Sequence, residues 1–273
     1  MKKTDYLQCD ETTIPIVRND RHKTVKGYIW LVREPMTGRQ YFYWDKGSRS
    51  GEVVLKLFNG YQGALQTDGY ERYELLDGKK GIMLLSCWAH ARRKFSESIK
   101  NDKERAEKAI EQIQLLYDVE HQIKDQNLSY QDAAKLRSRL AYPIMVRFEK
   151  WLVAEHPKVL KGSPIEKAIL YTYKRFDKLS RYHLDGRYFI DNNGIENAAI
   201  PVALGRKNLF CQNDDTAEST AIIYSFMGCC KGANVDFRKW MIYFLDHVHD
   251  YDKDYSRDLA DLLPDRLKAN GVI

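Results

Sequence analysis

Three acids stand at points of this sequence where a side chain could do more than solvate the surface. Asp10 lies inside "DYLQCDETTIPIV", a run of β-formers in which an acid goes against propensity. In an extended run Tyr6, Gln8 and Asp10 share one face, while Leu7 and Cys9 share the other. Asp68 closes the short run "GALQTD" before Gly69, and ligand sites of α/β sheets collect at the C-terminal ends of strands. Glu196 falls in the first turn of the helix expected over "NNGIENAAIPVALG". Carboxylates gathered from two strands and a helix repel, and raise one another's pKa, unless cations neutralise them. Hard oxygen donors of this kind suit Mg²⁺ or Mn²⁺, which keep several waters and take other ligands from substrate phosphates. Two such ions clamp the attacking and leaving oxygens of an in-line phosphoryl transfer. Each acid also has a purely structural reading. Asp10 could mark an exposed strand end, "TDGY" an ordinary turn, and Glu196 a capping box with Asn193.

Basic residues cluster in three places. "CWAHARRKF" begins at a strand end, so Trp88 and His90 could border a site while Arg92, Arg93 and Lys94 face phosphates. A buried Trp at a basic helix start explains the same residues. The stretch 158–187 holds eight basic residues, Lys174 and Arg175 among them, against three acids, with Tyr171, Tyr173, Phe176 and Tyr182 interleaved. That pattern fits a phosphate-tracking surface with stacking platforms, or a helix with a solvated basic face and an aromatic core face. Arg206 and Lys207 close the Glu196 segment as a basic cluster that could contact phosphates or complement a helix C-terminus.

The elements that must position these residues change character along the chain. "DYLQCDETTIPIV", "KGYIWLV" and "RQYFYWD", the last after the turn "PMTG", read as a three-strand antiparallel meander. A helix near "RSGEVVLKLFNGY", the strand "GALQTD", a small helix at "GYERYELLDG" and the strand "GIMLLSCWAH" follow. Paired strands followed by alternating helices and strands predict a mixed sheet covered by helices. From about 95 to 187 the chain reads as continuous helix, with capping signals at Ser129 and Ser163 and Pro143 in a first turn. The Glu196 helix is expected to bend or end at Pro201, two further helices follow, and a polar tail carrying "LADLLPDRLKANGVI" closes the chain.

Composition bounds the reading. The 273 residues are 44% hydrophobic and 12% aromatic, which argues for a packed globule with ample core. No run approaches membrane-spanning length, and "MKKTDYLQCDETT" lacks a signal-peptide core, so no membrane partner and a cytoplasmic location are expected. Five cysteines without C-x-x-C spacing read as reduced thiols rather than a disulfide framework or zinc finger. The net charge of +6 is a mild excess that selects no partner by itself.

At "CDET", "TDGY", "CWAHARRKF" and "NNGIENAAIPVALGRKN" the chain resembles the DDE transposases of insertion-sequence family sixty-six, with the blocks in the family's order. "AIIYSFMGCCKGANVDFRKW" resembles the family's C-terminal helices. The resemblance implies an α/β, ribonuclease H-like core: a mixed sheet of three antiparallel strands plus parallel strands, flanked by helices and interrupted by an all-helical insertion. The corresponding organisation is core 1–95, insertion 96–187, core with the Glu helix 188–232, and a C-terminal helix and tail 233–273. It implies a catalytic, metal-binding triad of Asp10, Asp68 and Glu196 holding Mg²⁺ or Mn²⁺, as two ions. Metal-bound water would nick DNA at transposon ends, and the freed 3′-hydroxyl would attack target DNA. The implied partners are transposon-end and target DNA, with a homo-oligomer and accessory element-encoded proteins as further expectations. Family members usually carry an Arg before the Pro of the Glu helix, where this chain has Ile200. They are also usually longer at the N-terminus, with a DNA-binding region and a coiled coil. This chain starts nine residues before Asp10, so a truncated, split or excised product without autonomous end recognition is expected. Two alternatives stay open: another ribonuclease H-like nuclease, and a catalytically silent DNA-binding remnant.

Overall fold

β1 (Tyr6–Arg18) and β2 (Lys23–Arg33) form an antiparallel pair in which Asp10 stands opposite Leu31 and Ile14 opposite Gly27. β3 (Gln40–Trp44) pairs antiparallel with β2, and "PMTG" is the turn between them, as the β-former runs predict. With β4 (Gly63–Thr67) and β5 (Ile82–Ser86) these strands make one mixed five-stranded sheet in the order β3-β2-β1-β4-β5. The computed structural model describes residues 4–18, 23–79, 81–254 and 256–273. By its contacts the chain divides into two units, residues 1–63 with 194–273, and residues 64–193.

The first unit holds β1 to β3, α1 (Gly51–Leu57), α8 (Asn193–Gly205, whose first residue belongs to the other unit), α9 (Asp214–Ala233), α10 (Phe237–Lys253) and α11 (Pro264–Ala269). Its core joins Ile14, Ile16, Ile29, Leu31, Phe42 and Trp44 of the strands to Ile195, Ala198 and Val202 of α8 and Ala217 and Ala221 of α9. Fully burying each of the larger side chains contributes about 1.5–3 kcal/mol. α9 also covers the edge strand, since the Phe42 N–H donates to Ser225 Oγ at 2.8 Å. An edge blunted in this way offers fewer free backbone groups for unwanted pairing. Pro201 sits inside α8 and does not end it. The closing segment is not merely a polar tail. Leu262 and Leu267 are buried, Leu267 packs with Trp240 and Cys230, and the Trp240 indole donates to the Leu262 carbonyl at 2.9 Å.

The second unit carries α2 (Trp88–Ser98), α3 (Lys103–Asp125), α4 (Tyr130–Leu136), α5 (Tyr142–Glu155), α6 (Pro164–Lys174) and α7 (Phe176–Ser180). The β5 strand is shorter than "GIMLLSCWAH" suggests, because Trp88 already opens α2. The predicted caps hold. Ser129 and Ser163 accept the backbone N–H groups of Asp132 and Glu166 at 3.2 and 3.3 Å. Trp88, Phe95, Phe148 and Phe176 form the aromatic centre on which α2, α5 and α7 meet.

All five cysteines are free. Burial raises the thiols of Cys87 and Cys230 to about 12, which leaves about one part in 10⁵ as thiolate at pH 7. Iodoacetamide at that pH is therefore expected to leave both unlabelled in the native protein and to label all five after urea unfolding. Native labelling of Cys87 on the same timescale as the unfolded chain would show that its surroundings open.

Candidate functional site

Around Asp10 the strand is enclosed. Tyr6, Leu7, Gln8 and Cys9 are all buried, and Asp10 is the first residue of β1 after them to be half-exposed. Its Oδ1 accepts the Glu11 backbone N–H at 2.8 Å. Two residues earlier on the same face, buried Gln8 accepts from Arg33 Nη1 at 3.1 Å across the register. Burial lowers the Arg33 pKa, and the neighbouring Tyr6 opposes that shift. Gly194, in the first turn of α8, lies on this pair: a Cβ there would meet Arg33 Nη1 at 2.8 Å and Gln8 Oε1 at 3.3 Å. At the other end of α8, Arg206 Nη1 donates to Thr13 Oγ1 at 2.6 Å and the Thr13 carbonyl at 3.2 Å. α8 runs along the face of β1 that carries Asp10, because its Ile195, Ala198 and Val202 share a core with Ile14 and Ile16 of that face, and Glu196 lies half-buried in its first turn. Asp10 and Glu196 belong to facing elements of one unit. Arg206 ties α8 to β1 in this arrangement, and Lys207 is exposed beside it.

Asn193 does not cap α8. It is the first helical residue, and the Asp191 carboxylate accepts its backbone N–H at 3.1 Å and its side-chain amide at 3.0 Å. Asp191 is the stronger acceptor because it is charged and stands two residues upstream, a frequent Asx geometry. Tyr117 Oη donates to the same carboxylate at 2.9 Å.

Asp68, in the second unit, follows β4 and is half-buried. Its Oδ1 accepts the Tyr70 N–H at 2.8 Å. α6 holds the loop by its backbone: Tyr171 Oη donates to the Asp68 carbonyl at 2.7 Å, and Arg175 Nη2 to the Gly69 carbonyl at 2.8 Å. The Arg175 guanidinium also lies 4.2 Å from the Tyr171 ring centroid. Gly69 has φ +87°, and a Cβ there would meet Arg175 Nε at 2.6 Å. Arg175 thus braces the Asp68 loop.

The other basic residues divide. Of the eight in 158–187, Lys158, Lys178, Arg181 and Arg187 pair with Glu155, Glu74 and Asp77, Asp177, and Asp185 respectively. Lys161, Lys167 and Lys174 are exposed, while Phe176 and Tyr182 are core residues, so much of the stretch is internal bracing rather than an open basic surface. Trp88 is fully buried, with its indole donating to the Leu179 carbonyl at 2.9 Å, and so borders no open site. His90 is half-buried, Arg92 and Arg93 are exposed, and Lys94 is half-buried beside Glu97.

A sequence model of the transposase IS66 family matches residues 1–219. The chain belongs to that family. Its relatives include a Sinorhizobium fredii protein described as uncharacterised, y4hP, 30% identical over 271 residues that cover 90% of this chain and 48% of that protein. A second from the same organism, y4jD, also described as uncharacterised, is 29% identical over 283 residues, 96% of this chain and 54% of that protein. This IS66-family chain spans about half the length of the curated relatives it matches. No helix among its described residues is long and apolar enough to cross a membrane. Among those residues no group of three or more His, Cys, Asp or Glu side chains stands ready to hold an ion. The donor type still fits Mg²⁺, which is commonly bound through one or two carboxylates with the rest supplied by substrate phosphates.

Proposed function

We propose that this chain is the catalytic part of a DNA transposase with a ribonuclease H-like core, and that Asp10, Asp68 and Glu196 are its acidic triad. The observation that carries the proposal is the seating of α8 on the Asp10 face of β1, through Gly194 on the Gln8–Arg33 pair and Ile195, Ala198 and Val202 in one core with Ile14 and Ile16. On this reading Glu196, in the first turn of α8, acts with Asp10 of β1. The loop after β4, braced by Tyr171 and Arg175, fixes the backbone of Asp68.

The three carboxylates would hold Mg²⁺ or Mn²⁺, as two ions, which supply Lewis-acid activation of water and neutralise charge on the phosphate. Asp191 holds Asn193, the first residue of α8, and Tyr117 donates to the same carboxylate. In the reaction a water oxygen bonds to phosphorus as the 3′-oxygen leaves, and that 3′-hydroxyl then attacks a target phosphodiester, one P–O bond forming as another breaks. No covalent protein intermediate is required. Exposed Arg92, Arg93, Lys174 and Lys207 are the candidates for phosphate contacts, whose contribution falls with salt.

The test is cleavage and joining of labelled transposon-end DNA into a plasmid with Mg²⁺ or Mn²⁺. Joined product is expected, and cleavage without joining would assign a nuclease instead. The catalytically silent alternative draws on the missing preformed ion cluster among the described residues. Thermal melting separates it: Mn²⁺ is expected to raise the melting temperature of the wild type and not of Asp10→Ala. A wild type that Mn²⁺ does not stabilise and that neither cuts nor joins would be the silent remnant.

A further inference from the structure

The second unit contains a groove of about 470 Å³ between α2 and α3. Arg92 and Arg93 line one wall. Gln114, Tyr117 and His121 line the other, at the i, i+3, i+7 spacing that puts three side chains on one helix stripe. Asn193 lines it too, and opens the helix that carries Glu196 in its first turn.

The walls are prepared rather than fluid. Tyr117 is anchored through its hydroxyl to the Asp191 carboxylate. Asp118 accepts from Gln114 Nε2 at 3.0 Å and stands 3.9 Å from His121 Nδ1, so the amide and the imidazole are held from one side. Arg92 is exposed. Two guanidinium groups, an aromatic ring and an amide converge here on a space of small-ligand size. A space of about 470 Å³ is of the size of a small ligand such as one nucleotide rather than of a duplex. Cationic groups that follow a backbone, beside a ring that accepts any base, are the means by which single strands are bound.

We propose that this groove holds one unpaired nucleotide of a DNA single strand, with its phosphate on Arg92 and Arg93 and its base against Tyr117 and Gln114. The proposal rests on the DNA-transposase reading above for the nature of the strand, and it adds a preference for unpaired DNA and the α3 residues that create it.

The test uses the full chain in EDTA with a labelled 12-nucleotide single strand and the blunt duplex of the same sequence, read by anisotropy over a salt series. The single strand is expected to bind more tightly. Tyr117→Leu weakens it roughly tenfold or more, and Tyr117→Phe, which keeps the ring, restores it. Arg92→Ala lowers the salt slope by about 0.7, the loss of one phosphate contact. Melting temperatures confirm that each variant is folded. Equal losses on single strand and duplex, or no single-strand binding by the wild type, overturn the groove proposal. If these variants bind like wild type while the wild type still cuts and joins DNA with Mg²⁺, the groove is wrong and the transposase reading stands. If single-strand binding follows the variants but the chain neither cuts nor joins, the groove stands and that reading falls.

Discussion

Asp68→Asn is expected to lower metal-dependent strand cleavage by about 10³-fold while moving the melting temperature little. The substitution keeps the side-chain volume and an oxygen able to accept the Tyr70 N–H. The anchors of the loop are backbone atoms, the Asp68 carbonyl on Tyr171 and the Gly69 carbonyl on Arg175, and they are untouched. Only the negative charge disappears. A bound metal contributes several kcal/mol of charge stabilisation, and each 1.36 kcal/mol is a factor of ten in rate, so three orders of magnitude follow. Gly69→Ala tests the scaffold rather than the charge. Its Cβ would stand 2.6 Å from Arg175 Nε at φ +87°, so the guanidinium must move and strain of about 1–3 kcal/mol is expected. Urea melting should register that strain, and cleavage should fall with the carboxylate still present. Wild-type cleavage by Asp68→Asn would remove Asp68 from the triad whatever Gly69→Ala does.

What could be read without coordinates follows a physical division. The meander and the helix starts at Ser129 and Ser163 rest on local signals, β-former runs, a turn and N-caps, and the structure has them where those signals fall. The β5 boundary was less legible because the buried run from Leu84 to Trp88 passes without a break from strand into helix, and an apolar run does not reveal its period. Pro201 inside α8 and the packed Leu262 and Leu267 are likewise tertiary outcomes, set by burial against neighbours. At the candidate site the acids were legible by type, but their supports were not. Tyr171 and Arg175 reach Asp68 and Gly69 across 103 and 106 residues, and Gly194 meets a pair formed by two strands of the opposite chain end. Gln8 carried a usable signal: an amide in a β-former run, on the face of Asp10, requires a partner once buried. For Asn193 the capping pattern was present, yet a charged residue two positions earlier took the role.

Arg137→Met is expected to destabilise the second unit by about 3–5 kcal/mol, the cost of removing one partner from a buried ion pair. Arg137 stands in the π-helical turn Arg137–Ala141 between α4 and α5 and is 3% exposed. Its guanidinium donates to both carboxylate oxygens of Glu120 on α3, at 2.8 and 2.6 Å. The same group reaches the carbonyls of Tyr182 and Asp185, at 3.2 and 2.9 Å, and lies 5.2 Å from the Tyr182 ring centroid. One side chain therefore joins α3, the π turn and the segment after α7, and Met fills its volume without supplying any of the donors. Glu120 would remain as an uncompensated, largely buried carboxylate, so most of the loss should be electrostatic. Arg137→Met with Glu120→Gln should then recover a large part of it, because the stranded charge is gone. Urea unfolding of both variants separates the two contributions. If the single variant loses less than about 1 kcal/mol, this ion pair is worth no more than a surface bridge, and the junction of α3 with the π turn rests on packing alone.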